Sequence, residues 1–271
     1  MTTERTPGYF SSAMRVFDLS VGEMLWSRRT IFMALVIGVP IVIAPAMRVA
    51  DALSGSRLPM TGPAIFGLMI WMFYLRFAVP VLGVFYGTSL IADEVEDKTI
   101  TYLFTRPIPR GAVLLGKYLA YLACTVFVVL PSVVITYLVI VPMRGSLGAS
   151  FIDLVKDLVL LALGLAVYGA VFAFVGARFK RPLLTGLIFV FGWEQVVLAI
   201  PGYLRRFTIA YYLQALVPHA MPADDVLSTF PGIFRQNPAL PEALFWIVVI
   251  LLVFLWLAAL SVERKEYVLE Q

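Results

Sequence analysis

Apolar residues in this chain are gathered into long blocks, parted by short polar interruptions, at residues 30–49, 63–92, 118–140, 154–177, 182–200 and 243–261. Crossing a hydrocarbon core takes roughly 20 apolar residues in a helix, and each block is near or above that length. Backbone polar groups inside lipid must bond within their own segment, so such blocks form helices. The two-residue alternation of a β-barrel is absent. Ahead of the first block, Phe10, Met14, Phe17, Val21 and Met24 recur at three- and four-residue steps, while Arg15, Asp18 and Glu23 project elsewhere. That spacing predicts an amphipathic helix lying in the membrane interface. The expected fold is therefore an all-α integral membrane protein: an N-terminal interfacial helix within residues 1–29, six transmembrane helices within 30–261, and a short tail at 262–271. Pro80 marks an expected kink in the second span, and Pro182 opens the fifth.

Composition sharpens this picture. Of 271 residues, 61% are hydrophobic and 14% charged, against about 45–50% and about 25% in soluble domains. Mean hydropathy is +0.91. The formal charge of +4 follows from basic loop ends; no polybasic run or aromatic–basic interleaving suggests a nucleic-acid partner. Sorting lysines and arginines by loop places thirteen on the side of both termini and seven on the other, with Arg76 inside a span. The richer side is expected to be cytoplasmic, which puts both ends inside a bacterial or archaeal cytoplasmic membrane. The polar start, Met1 to Gly8, does not read as a cleavable signal. Cys124 is the single cysteine, so no intramolecular disulfide is available and no cysteine metal site is expected.

Several motifs were weighed against plainer readings. Gly111-Ala-Val-Leu-Leu-Gly116-Lys117-Tyr118 nearly spells a phosphate loop, but Tyr118 stands where Ser or Thr must ligate magnesium. Lys117 reads better as an interfacial anchor. The segment Asp93 to Arg110 combines an acidic helical start, with Glu94, Glu96 and Asp97, with Lys98, Tyr102, Leu103 and Arg106 before Pro107 stops it. It is either a solvated turn or a docking surface. Arg76 and Glu194 lie inside spans at about the same depth, some 20 Å from an end. They read as a translocation-path lining or as a structural ion pair. Gly83 and Gly87 form a GxxxG that allows close helix approach, within a subunit or across a dimer. Tyr203 to Leu216 reads as a re-entrant or an interfacial helix. His219, the only histidine, has no partner set for a metal. An intramembrane enzyme is disfavoured: no GxSxG occurs, and acids within spans are limited to Glu194 on this reading. A stand-alone ion-coupled carrier, using Arg76 and Glu194, remains the alternative.

An acidic helix after the second span, then Thr105-Arg-Pro-Ile-Pro-Arg110, then Leu114-Leu-Gly-Lys117, resembles the permease subunits of ATP-binding-cassette transporters, the ABC type-2 permeases. Phe191-Gly-Trp-Glu194 and Leu204-Arg-Arg-Phe-Thr-Ile-Ala-Tyr-Tyr-Leu213 also match, as do the six spans. The resemblance implies a transport subunit, with export as the family's habit. It implies two ATPase subunits carrying ATP and magnesium, a second permease copy or homologue, and surrounding membrane lipid. No nucleotide is expected on this chain. It also implies that Asp93, Glu94, Glu96, Lys98, Tyr102, Leu103 and Arg106 couple the permease to the ATPase.

Overall fold

The computed structural model describes residues 8–25, 28–53, 61–96, 109–200, 203–219 and 238–264. Every regular element among them is helical. In chain order they are α1 (Tyr9–Leu25), α2 (Arg28–Leu53), α3 (62–96), α4 (Arg110–Ile140), α5 (Phe151–Arg178), α6 (182–199), the short α7 (Ile209–Gln214) and α8 (Leu240–Arg264). Five of them, α2, α3, α4, α5 and α8, are long and apolar enough to cross a membrane. The apolar stretch of α6, Pro182–Leu198, is shorter. At 1.5 Å per residue it reaches about 26 Å.

The centre of the bundle is α5, the most enclosed of the long helices. Its sequence explains this. Gly164, Gly169 and Gly176 present no side chain, so neighbouring helices close on its backbone and van der Waals contact replaces the hydrophobic drive that lipid cannot supply. A Cβ on Gly169 would collide with the Tyr121 ring of α4, and one on Gly176 with the Thr88 carbonyl of α3. The GxxxG of α3 serves this same contact. A Cβ at Gly83 would lie 2.7 Å from Cβ of Tyr168, and one at Gly87 2.8 Å from Cβ of Phe172. The motif thus packs within the subunit. Gly176→Ala is therefore expected to destabilise the protein by about 1–3 kcal/mol through overpacking. Gly38→Ala in α2, where an added methyl meets nothing within 4 Å, should be neutral or gain up to about 1 kcal/mol from helix propensity. Thermal unfolding of both purified variants in detergent tests the contrast. Equal midpoints would remove the close approach from the account.

Helix α1 has two uses for its two sides. Ala13 and Val16 are buried, set against Gly116 of α4, while Phe10 and Met14 stay exposed and free to meet an apolar phase. At its start Tyr9 sits beside Gly111: an added Cβ there would lie 2.9 Å from the Tyr9 hydroxyl and 3.5 Å from the Glu263 carboxylate. The beginnings of α1 and α4 and the end of α8 thus share one end of the bundle, here called the terminal face. The opposite, distal face is tied by polar bonds. Arg144, in the left-handed region at φ 58°, donates to Asp51 at 2.7 Å. Arg48 donates to the Val139 carbonyl at 3.1 Å. A left-handed arginine is strained unless its surroundings hold it, and the Asp51 carboxylate provides such a hold.

The near-phosphate-loop Gly111 to Tyr118 lies wholly within α4, whose helix begins at Arg110 rather than near Tyr118. Its amides belong to helical turns rather than to a phosphate cradle. Lys117 is buried on this helix rather than exposed at an interface.

Candidate functional site

Among the described residues, three stretches within the long helices are π-helical: Met69–Ala78 and Gly83–Gly87 in α3, and Ile188–Glu194 in α6. Pro80 stands between the first two, where its missing N–H cannot support a regular ladder. π-Segments frequently accompany functional sites because the widened turn re-aims side chains. Here they carry the two charges expected within spans, Arg76 and Glu194.

Glu194 is 1% exposed. One carboxylate oxygen accepts from the Tyr168 hydroxyl of α5 at 2.7 Å. The other accepts from the Ala210 backbone N–H at 2.9 Å. Ala210 lies in the first turn of α7, whose own N-cap residue, Thr208, supplies no side-chain bond. Glu194 is therefore the cap that α7 lacks, provided from another helix. The bond holds α7 against the bundle, with Ile209, Tyr212 and Leu213 buried, while Tyr203, Leu204 and Phe207 stay exposed.

Arg76 does not take Glu194 as its partner. Its guanidinium donates to the Gln195 amide oxygen at 3.1 Å and lies over the Trp71 ring, 5.3 Å from the centroid. The Arg76 Nε and the Trp71 indole N–H are buried with no hydrogen-bond acceptor among the described residues. The expected depth match of Arg76 and Glu194 is real, since Gln195 adjoins Glu194. The expected ion pair is replaced by two separate arrangements: a satisfied acid facing inward, and an under-satisfied cation only half-buried between α3 and α6. Phe77 and Phe191, both exposed with rings 6.5 Å apart, flank it.

A third polar arrangement corrects the expectation that Glu194 is the lone acid within the spans. Asp157 of α5 is 0% exposed and meets His219 Nε2 at 2.7 Å. Its second oxygen has no hydrogen-bond partner among the described residues. The imidazole packs edge-on to Phe66 at 5.8 Å and over Gly67, where a Cβ would sit 2.8 Å from the ring. An acid alone in the apolar run Leu154 to Ala177 was a visible signal for Asp157. Nothing in the sequence linked it to a histidine 62 positions away.

Of the residues expected to couple to an ATPase, Lys98, Tyr102, Leu103 and Arg106 lie outside the described residues. Glu94 and Glu96 fall in the last turns of α3. Asp93 lines a cavity of about 680 Å³ at the terminal face, together with Ser89, Lys180 and Arg181. The acidic end of α3 and the basic turn before α6 therefore adjoin. Among the described residues no group of three His, Cys, Asp or Glu is placed to hold a metal.

Long apolar helices, close-packed through glycine and joined by buried polar clamps, define an all-α integral membrane protein. Residues 31–267 match the family described as ABC-2 family transporter protein, and the chain belongs to that family. It is an ABC transporter permease, the membrane component rather than the catalytic one, and permeases of this kind pair in general with ABC ATPase subunits. No curated protein matches the chain.

Proposed function

We propose that the chain is one half of an ABC exporter, a six-span permease that pairs with a second copy or a homologue through the face bearing Arg76. On this reading α6 is the fifth span despite its shortness, and α1 rests at the membrane surface on its Phe10 side. Two ATPase subunits, holding ATP and magnesium, dock on the terminal face, which is cytoplasmic. The segment from Asp93 to Arg106 and the turn at Arg178 to Arg181 form the docking surface; Asp93, Lys180 and Arg181 line one cavity, which favours a composite contact.

The observation that carries the proposal is Arg76. A charged side chain at mid-membrane costs roughly 2.5–3.5 kcal/mol even on lenient scales, so such residues face protein or water. Arg76 is half-buried, keeps an unpaired buried N–H, and shares its face with exposed Met72, Phe77, Ile188 and Phe191. Lipid against this face would strand the charge. A second permease, with a path between the two, would not.

The test places single cysteines at Phe77 and at Phe191, with Cys124 replaced, in the assembled complex. A short bifunctional thiol reagent should join two permease copies through either position. Absence of cross-linking at both, with both quenched by a nitroxide confined to lipid tails, would show that the face meets the bilayer and would sink the proposal.

A further inference from the structure

A second cavity of about 680 Å³ opens between α5, α6 and α8, beneath the short helix α7. Its wall is almost wholly aliphatic and aromatic, with Phe174, Phe189 and Ile250 in the middle and Phe254 low on α8. Two charged residues line it, Arg206 and Glu242. Both lie at its upper end, Glu242 in the first turn of α8 and Arg206 in the turn Tyr203–Phe207. From Glu242 to Phe254 the cleft follows α8 for about 18 Å, at 1.5 Å per residue. One leaflet of a bilayer, half of a hydrocarbon core of about 30 Å, has a similar depth.

The two charges do not satisfy each other. Among the described residues neither forms an ion pair, although both stand within electrostatic reach of the Tyr212 hydroxyl. Arg206 is oriented by the ring of Tyr203, 5.3 Å from its guanidinium. A mouth lined by one cation and one anion, above an apolar slot one acyl chain deep, is complementary to a ligand with one anion, one cation and one tail in the same order.

We propose that this cleft is a binding site for a zwitterionic phospholipid bearing a primary amine, phosphatidylethanolamine. Its phosphate meets Arg206, its ammonium meets Glu242, and one acyl chain fills the slot between Phe174 and Ile250. Guanidinium suits phosphate oxygens because its N–H groups form a planar fork. A carboxylate prefers a primary ammonium to a quaternary one because only the former donates hydrogen bonds. The lipid would brace α7 and α8, which meet at the cleft through pairs such as Tyr212 and Trp246 at 6.3 Å. This inference does not depend on the transport reading above, since it concerns a different face.

The test reconstitutes the full chain in vesicles holding equal amounts of phosphatidylethanolamine, phosphatidylcholine and phosphatidylglycerol with identical acyl chains. Lipid retained after gentle detergent extraction is then counted by native mass spectrometry. Phosphatidylethanolamine should be enriched about fivefold over each of the others, the upper end for an exposed ion pair. Glu242→Gln should abolish the enrichment over phosphatidylglycerol, and Arg206→Gln should lower retention of all three. Ile250→Trp, which fills the slot, should release the lipid while the thermal midpoint shows the chain still folded. Equal retention of the three lipids by the wild type would overturn the proposal. So would full retention by a folded Ile250→Trp, or protection of the cleft by a second permease copy, read as cross-linking between copies through a cysteine at Trp246.

Discussion

Glu194→Ala is expected to unfold the distal side of this permease at a markedly lower temperature than the wild type. The substitution strands two buried donors at once: the Tyr168 hydroxyl, on a residue 0% exposed, and the Ala210 N–H, the start of a helix with no other side-chain cap. Each stranded group costs about 1–3 kcal/mol, or roughly 2–6 kcal/mol for the two. Glu194→Gln keeps one acceptor oxygen and should fall between. Tyr168→Phe removes one donor and leaves α7 capped, so it should be the mildest of the three. A second readout separates this clamp from general weakening. Once α7 is uncapped, residues 208–214 should leave the bundle and free the turn before them, and trypsin should cut at Arg205 or Arg206 faster than in the wild type. A Glu194→Ala protein with wild-type melting and no faster cleavage would refute the clamp.

The second large effect concerns Asp157 and His219, and here the expected result is an asymmetry. Asp157 is fully enclosed and one of its oxygens already lacks a partner, so His219 is its remaining hydrogen bond from the protein. His219→Ala therefore leaves an acid buried in an apolar helix core, a loss of about 3–5 kcal/mol when a buried pair is broken from one side. Asp157→Ala leaves an imidazole whose side chain is still 15% accessible and can meet water, so the cost should be clearly smaller. The double variant should be more stable than the sum of the single losses predicts, with the shortfall measuring the coupling. Unfolding followed by tryptophan fluorescence in detergent supplies all four corners of the cycle. Strictly additive losses would show that the contact carries no energy of its own.

The same pair marks where sequence reasoning stops. Asp157 could be found as a lone acid in an apolar run, and His219 as a lone histidine in a polar segment. Their meeting depends on how the chain after α7 returns over Phe66 and Gly67, a long-range event with no local pattern. Arg76 and Glu194 were legible as costly charges at matched depth, because insertion cost depends only on residue type and position along a span. Which neighbour each charge takes was not legible. Pairing is decided by helix rotation, and the π-segments at Met69–Ala78 and Ile188–Glu194 shift that rotation away from what a regular helix predicts. Tyr168 and Gln195 gave no signal beforehand, since a tyrosine or glutamine in a span commonly packs or snorkels. The GxxxG of α3 announced a close contact but not its partner, which proved to be α5.

Sequence alone determined that the chain is a helical membrane protein, roughly where its helices lie and which family it resembles. The first two follow from the length and placement of apolar blocks, because lipid admits no backbone that does not bond to itself; the resemblance rests on motifs such as Thr105 to Arg110 and Phe191 to Glu194. Only the tertiary structure decided that Glu194 caps α7, that Arg76 is left under-satisfied on an open face, and that Arg206 and Glu242, without an ion pair among the described residues, crown an apolar cleft. Burial in lipid is a property of single helices and is written along the chain. Satisfaction of buried polar groups is a property of neighbours, and neighbours are chosen only when the helices pack.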